Sequence, residues 1–250
     1  MYKIKNKIIL SNSDCLESMK NIKDKSIDMI LCDLPYGTTN CKWDIIIPFE
    51  PLWEQYNRII KDCGVVVLFG SEPFSSYLRM SNIKDYKYDL IWQKEKPTNF
   101  FQLKRRFGKV TEYIHVFYKK QCTYNPQMVK HDGKPVKNKP KANHNSVVSG
   151  IGGKITAYND NGYRYPIDIL QFRRVKLNKY LHPTQKPVEL LEYLIKTYTN
   201  ENETVLDNCM GSGSTCIACI NTGRKFIGIE KDGNYYEIAK KRIIERLDEH

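Results

Sequence analysis

Short apolar runs, each followed by a helical pattern, constrain this chain more than any other feature. Lys7 to Leu10, Ile27 to Cys32, Val65 to Phe69, Thr204 to Leu206 and Phe226 to Ile229 are too short for helices and carry little polar alternation, so they read as buried strands. Amphipathic patterns separate them. One starts at Leu16 and Met19, one runs from about Glu50 to Lys61 with Gly64 as a stop, and one starts at Phe74. Pro187 opens another, Ser214 to Ile220 forms the next with Gly223 as its stop, and Tyr235 to Leu247 closes the chain. Alternation of this kind predicts an α/β fold, a doubly wound and mostly parallel sheet. Tyr88 to Trp92, Glu112 to Tyr118 and Tyr165 to Phe172 add β-rich runs. From Gln121 to Tyr163 lysine, asparagine, glycine and proline displace any period, which predicts an irregular insert at 121–163 between the 1–120 and 164–250 parts of one domain.

No apolar run approaches the roughly 20 residues needed to cross a bilayer, and Met1 to Leu10 is too short for a signal peptide, so a soluble cytoplasmic protein is expected. Cys32, Cys63, Cys216 and Cys219 lie inside apolar runs and read as core thiols of a reducing compartment. Neither a second Cys-x-x-Cys nor a close histidine completes a tetrahedral set with Cys209, Cys216 and Cys219, so no metal is expected. Charge is unevenly spread. Lys94 to Leu181 holds 19 Lys/Arg against 5 Asp/Glu, which exceeds the net charge of +12 of the whole chain. Such concentration points to a polyanion partner.

Two stretches carry chemistry. Asp33-Leu34-Pro35-Tyr36-Gly37 follows the strand Ile27 to Cys32, and a carboxylate at the carboxyl end of a buried strand sits where open α/β sheets hold ligands. Pro35 stiffens the turn and Tyr36 offers a flat face. In the second stretch, Thr204 to Thr215, a strand runs into Asp207, then Gly211 and Gly213, then a helix. A nicotinamide dinucleotide fits poorly, because Cys216 stands where a third glycine is needed and Asp207 would repel a pyrophosphate. Asp207 suits a cation instead, and Glu230 at the end of the next strand suits a ribose diol. An adenosine with a positive centre and no phosphate, S-adenosylmethionine, satisfies both. Asp14, read alone, is a helix cap.

With these residues in place the chain resembles a β-class amino-directed DNA methyltransferase of the adenine-N6 type. Asp33-Leu-Pro-Tyr36 is similar to the family's Asp-Pro-Pro-Tyr, and His182-Pro-Thr-Gln-Lys-Pro187 to its motif before the first cofactor helix. Asp207 to Thr215 is similar to its Asp-Pro-Phe-x-Gly-Ser-Gly-Thr. The likeness covers about Lys7 to Asn125 and Gly162 to Leu247. It implies a Rossmann-like methyltransferase fold whose insert recognises the target, with methyl transfer from S-adenosylmethionine to the amine of an adenine flipped from duplex DNA. It further implies that Asp14 meets the cofactor's adenine, Glu230 its ribose, Gly211 and Gly213 its methionine end, and Thr184 and Lys186 its carboxylate, with Asp33 and Asp207 beside it. Asp33 and the Leu34 carbonyl would hold the amine, and Tyr36 the base. Lys104, Arg105, Arg106 and Lys109 would grip phosphates, while Trp92, Phe100, Phe101 and Phe107 would wall the pocket or fill the gap in the duplex. A homodimer and a restriction endonuclease partner, in a bacterial or phage setting, are further expectations. Leu34 for proline and Asn208-Cys209 for Pro-Phe depart from the pattern. The alternatives are a cytosine amine or RNA as target, or an inactive DNA-binding subunit.

Overall fold

The computed structural model describes residues 2–4, 7–38, 44–130, 137–138, 158–159, 162–175 and 185–249. In chain order the strands are β1 (Tyr2–Ile4), β2 (Ile8–Asn12), β3 (Ile27–Cys32), β4 (Ile60–Gly70), β5 (Tyr86–Gln93) and β6 (Thr111–Phe117). There follow β7 (Val129–Lys130), β8 (Lys137–Asn138), β9 (Tyr158–Asn159), β10 (Tyr163–Arg164), β11 (Ile169–Gln171), β12 (Thr204–Asp207) and β13 (Lys225–Glu230). The helices are α1 (Cys15–Met19), α2 (Phe49–Ile59), α3 (Phe74–Ser81), α4 (Val188–Tyr198), α5 (Ser214–Thr222) and α6 (Gly233–Asp248). They divide into two compact units. Pro126–Ile167 holds two small antiparallel pairs, β7 with β10 and β8 with β9.

The larger unit, Met1–Asn125 with Asp168–His250, contains a nine-stranded sheet in the order β1-β2-β13-β12-β3-β4-β6-β5-β11. The run from β2 to β4 is parallel, and β6 pairs antiparallel with both β4 and β5. Both sheet faces are covered, as the unbroken apolar strands require. Met29, Leu31, Val65 and Val67 pack with residues of α4, α5 and α6, whereas Ile30, Cys32, Val66 and Leu68 pack with residues of α1, α2 and α3. Among the described residues no helix is long and apolar enough to cross a membrane.

Two boundaries differ from the sequence reading. Gly64 does not stop a helix: α2 ends at Ile59, and β4 runs unbroken through Gly64. Glycine is required there because a Cβ would lie 2.7 Å from Ile60 Cγ1 and 2.9 Å from the Asp28 carbonyl oxygen, where β3 and β4 shift register. Tyr165 to Phe172 yields only the three residues of β11, because the segment pairs with β5 alone through Ile169 to Gln171. The Asp168 carbonyl adds one more bond, from the Ile91 amide.

Candidate active site

The sheet's strand order reverses between β3 and β12: chain progress from β3 runs toward β4, and from β12 toward β13 on the opposite side. Loops leaving neighbouring strands in opposite directions open a crevice at their carboxyl ends. Both sequence motifs lie there, and one cavity of about 560 Å³ is lined by Asp14, Asp33, Leu34, Pro35, Tyr36, Lys186, Asp207, Gly211 and Glu230, among others. Residues 174 positions apart are thereby joined.

Asp33 leaves β3 with both carboxylate oxygens engaged. Tyr36 Oη donates to Oδ1 at 2.6 Å, and Lys186 Nζ donates to Oδ2. Lys186 also has a second buried carboxylate beside it: Glu112 Oε1 lies 3.0 Å from the same Nζ. Glu112 was not singled out from the sequence, though an acid within the β-rich run of β6 is the signal that could have found it. It also accepts from Tyr36 Oη at 3.1 Å and from Lys94 Nζ. Burial and the Glu112 charge push the Asp33 carboxyl up, against the pull of Lys186. Burial acts on Glu112 too, but Lys186 and Lys94 outweigh it and hold Glu112 down at about 2. The Tyr36 ring stacks on Phe74, with centroids 5.0 Å apart, so one of its faces is committed to the core. Leu34, which replaces a proline, is buried among α1, α2 and α3 residues and anchors the turn from below.

Asp207 ends β12. Its Oδ1 accepts from the Cys209 amide at 3.1 Å and its Oδ2 from Thr215 Oγ1 at 2.6 Å, which closes the glycine loop around it. Burial pushes its carboxyl up to about 6. Asn208 accepts from Tyr56 Oη at 2.6 Å, so the loop is tied to α2 where the family pattern has proline. Gly211 has φ +51°, and its amide donates to Glu230 Oε2 at 2.8 Å. Asp232 donates its amide to Glu230 Oε1, also at 2.8 Å. Gly213 does not line the cavity. Its φ is +77°, and a Cβ would meet Ala239 Cβ at 3.1 Å, so it serves the packing of α6 behind the loop. Asp14 caps α1, accepting from the Leu16 amide at 3.0 Å, and pairs with Lys231. Thr184 lies outside the described residues.

The acids on the cavity wall, Asp14, Asp33, Asp44, Asp207, Glu230 and Asp232, outnumber the two lysines, Lys186 and Lys231. A donor set of this kind fits a cationic sulfonium and disfavours a pyrophosphate. Apart from the cavity, Lys104, Arg105 and Arg106 are exposed, with Phe101 and Phe107 almost wholly in solvent at 100% and 97%. Lys109 instead donates to Ser71 Oγ, and Trp92 is core, its indole donating to the Phe172 carbonyl at 2.9 Å. None of these aromatics walls the pocket. Ser75, His115 and Asp89 form a hydrogen-bonded relay of 2.9 and 2.6 Å, but the Ser75 side chain is fully buried and braces α3 against β5 and β6.

A profile of the DNA methylase family, the N6/N4 amino-methyltransferases, matches residues 27–241. The chain belongs to this family. The methylase is 47% identical over 244 residues to the putative methylase YubD of Escherichia coli K12, covering 92% of this chain and 87% of that one. It is 30% identical over 275 residues to the type II methyltransferase M2.DpnII of Streptococcus pneumoniae, covering 97% and 91%. A crystal structure of the M1.HpyAVI-SAM complex matches with a TM-score of 0.63 at 28% identity, over 94% of this methylase and 99% of that chain. The expected Rossmann-like methyltransferase fold and amino-directed family are thereby established.

Proposed function

We propose that this methylase transfers the methyl group of S-adenosylmethionine to the exocyclic amine of an adenine flipped out of duplex DNA. The observation that carries the reading is the convergence of the Asp33-Leu34-Pro35-Tyr36 turn and the Asp207-to-Thr215 loop on one acid-lined cavity. The cofactor, when bound, supplies a methyl group activated by its sulfonium charge. Asp207, ionised at neutral pH with a carboxyl at about 6, faces that charge, and Glu230, Asp14 and Gly211 offer the contacts for ribose, adenine and the methionine end. Thr184 and Lys186 are the candidates for the methionine carboxylate, Lys186 through an ammonium proton not engaged by Asp33 or Glu112.

A purine amine is a weak nucleophile because its lone pair is delocalised into the ring. Asp33 accepts one amine proton and the Leu34 carbonyl, which receives no hydrogen bond among the described residues, accepts the other. The nitrogen lone pair is then free to act. Burial of the Asp33 carboxyl favours its uptake of the proton afterwards. Extrusion of the base costs a few kcal/mol, and stacking on the Tyr36 face opposite Phe74 returns about 1–3 kcal/mol. Lys104, Arg105 and Arg106 suit phosphates, and the solvent-exposed Phe101 and Phe107 suit the gap left in the duplex.

Aspartate at position 33 and the 28% identity to the DNA adenine methyltransferase YhdJ of Escherichia coli K12 favour adenine over cytosine. Nucleoside digestion after reaction with labelled cofactor tests this: label appears in N6-methyladenine of DNA, and label in methylcytosine or only in RNA refutes it. Asp33→Ala abolishes turnover while cofactor binding persists; wild-type turnover in that variant refutes the mechanism. The 126–167 unit is the candidate for target recognition. A cytoplasmic location, a homodimer and a restriction endonuclease acting on the same site belong to this reading, and light scattering of the purified protein checks the dimer.

A further inference from the structure

Both oxygens of Asp33 are in use before any substrate arrives, one by Tyr36 Oη at 2.6 Å and the other by Lys186 Nζ. Each oxygen keeps a further lone pair, but an amine proton arriving there competes with a donor already in place. Lys186 is 8% exposed, and an ammonium left without a partner at that depth carries a heavy desolvation penalty. Glu112 supplies the alternative acceptor. Its Oε1 lies 3.1 Å from Tyr36 Oη and 3.0 Å from Lys186 Nζ, and its Oε2 is held by Lys94. We infer that Glu112 is a positioning residue of the methyl-transfer reaction, a standing acceptor that keeps Tyr36 and Lys186 in place while Asp33 turns to the target amine.

The inference rests on the reading of Asp33 as the amine acceptor, and the electrostatics of the cluster give it a direction. Tyr36, Lys186 and Glu112 face Asp33 directly, Cys32 and Asp207 act on it from β3 and β12, and Lys94 and Lys109 reach the cluster through Glu112. Two carboxylates share one lysine. Glu112 is the more acidic of the two because Lys94 also stabilises its charge, and Asp33 is left the more basic. Removing the Glu112 charge hands Lys186 wholly to Asp33, which lowers the pH at which Asp33 titrates. Removing Lys94 has the opposite effect, because Glu112 then draws more on Lys186 and a nearby positive charge is lost.

Glu112→Gln therefore moves the acid limb of the kcat profile to lower pH by roughly one unit and lowers the plateau about tenfold, the KM for cofactor changing little. Lys94→Met moves the acid limb to higher pH. Carboxyl ¹³C titration of the ligand-free proteins shows the Asp33 resonance shifting in the same two directions. A merely structural role would impair both variants alike and leave the limbs together. Limbs and resonances unmoved in either folded variant, or moved in one direction in both, overturn the proposal, while the Asp33→Ala result stands apart as the test of the underlying mechanism. If Glu112→Gln does not fold, Lys94→Met alone decides it by the sign of its shift.

Discussion

At the scale of single residues, the site is an arrangement of buried acids whose charges are set by their neighbours. Asp207 is the clearest case. Burial raises its carboxyl from the ordinary 3.8 to about 6, so between these values the folded state binds a proton that the unfolded state has already released. Its contribution to stability is therefore fully present below pH 3.8 and lost as pH rises to about 6. Asp207→Asn removes this dependence: the stability of the variant relative to the parent grows by about 2 kcal/mol between pH 4 and pH 6, read as the difference between two urea titrations. Tyr36 separates into ring and hydroxyl in the same way. Tyr36→Phe keeps the stack on Phe74 and loses the bonds to Asp33 and Glu112, whereas Tyr36→Ala loses both. Fluorescence of 2-aminopurine at the target position reports an extruded base in Tyr36→Phe, and in Tyr36→Ala a base whose binding is weaker by about 1–3 kcal/mol.

Elements matter here chiefly through where they end. β3, β12 and β13 stop at one level and deliver Asp33, Asp207 and Glu230 to the same cavity, and their register is fixed by paired backbone, Val205 opposite Met29 and Leu206 opposite Ile227. The register of β3 with β4 depends on Gly64, since a Cβ there would press on the Asp28 carbonyl oxygen at 2.9 Å. Gly64→Ala is expected to destabilise the fold by about 1–3 kcal/mol, seen as a lowered midpoint of thermal or urea unfolding, because the obstacle is backbone and cannot swing aside. The cofactor loop draws its shape from a different element. Tyr56 of α2 reaches Asn208, which makes the loop depend on a helix 152 positions earlier. Tyr56→Phe leaves that buried amide oxygen without its donor, at a cost of about 1–2 kcal/mol in stability and with weaker cofactor binding by calorimetry.

Across the whole molecule, charge and chemistry are segregated. The sheet carries the acid-lined cavity, and the positive excess is confined to Lys94 to Leu181. Association with DNA should accordingly be dominated by counterion release. Replacing Lys104, Arg105 and Arg106 together with glutamine lowers the slope of log K against log salt by up to about 3, with cofactor affinity unchanged; an unaltered slope places the phosphate contacts elsewhere.

The sequence by itself determined the strand and helix alternation, the doubly wound sheet, and the identity of Asp33 and Asp207 as strand-end acids, because a strand buried on both faces must be apolar throughout and an acid at its end is conspicuous. The Leu34 side chain was legible only as a departure from a motif, and its burial beneath the turn accounts for it. Gly64 was legible as a glycine but misassigned, since close approach of a neighbouring strand leaves no local mark. Tertiary structure alone decided the rest. Lys186, Glu112, Lys94 and Tyr36 lie on four separate segments, and nothing local to any of them states that they form one cluster around Asp33. Buried charges choose partners by distance and desolvation, quantities that exist only once the sheet has brought distant segments together.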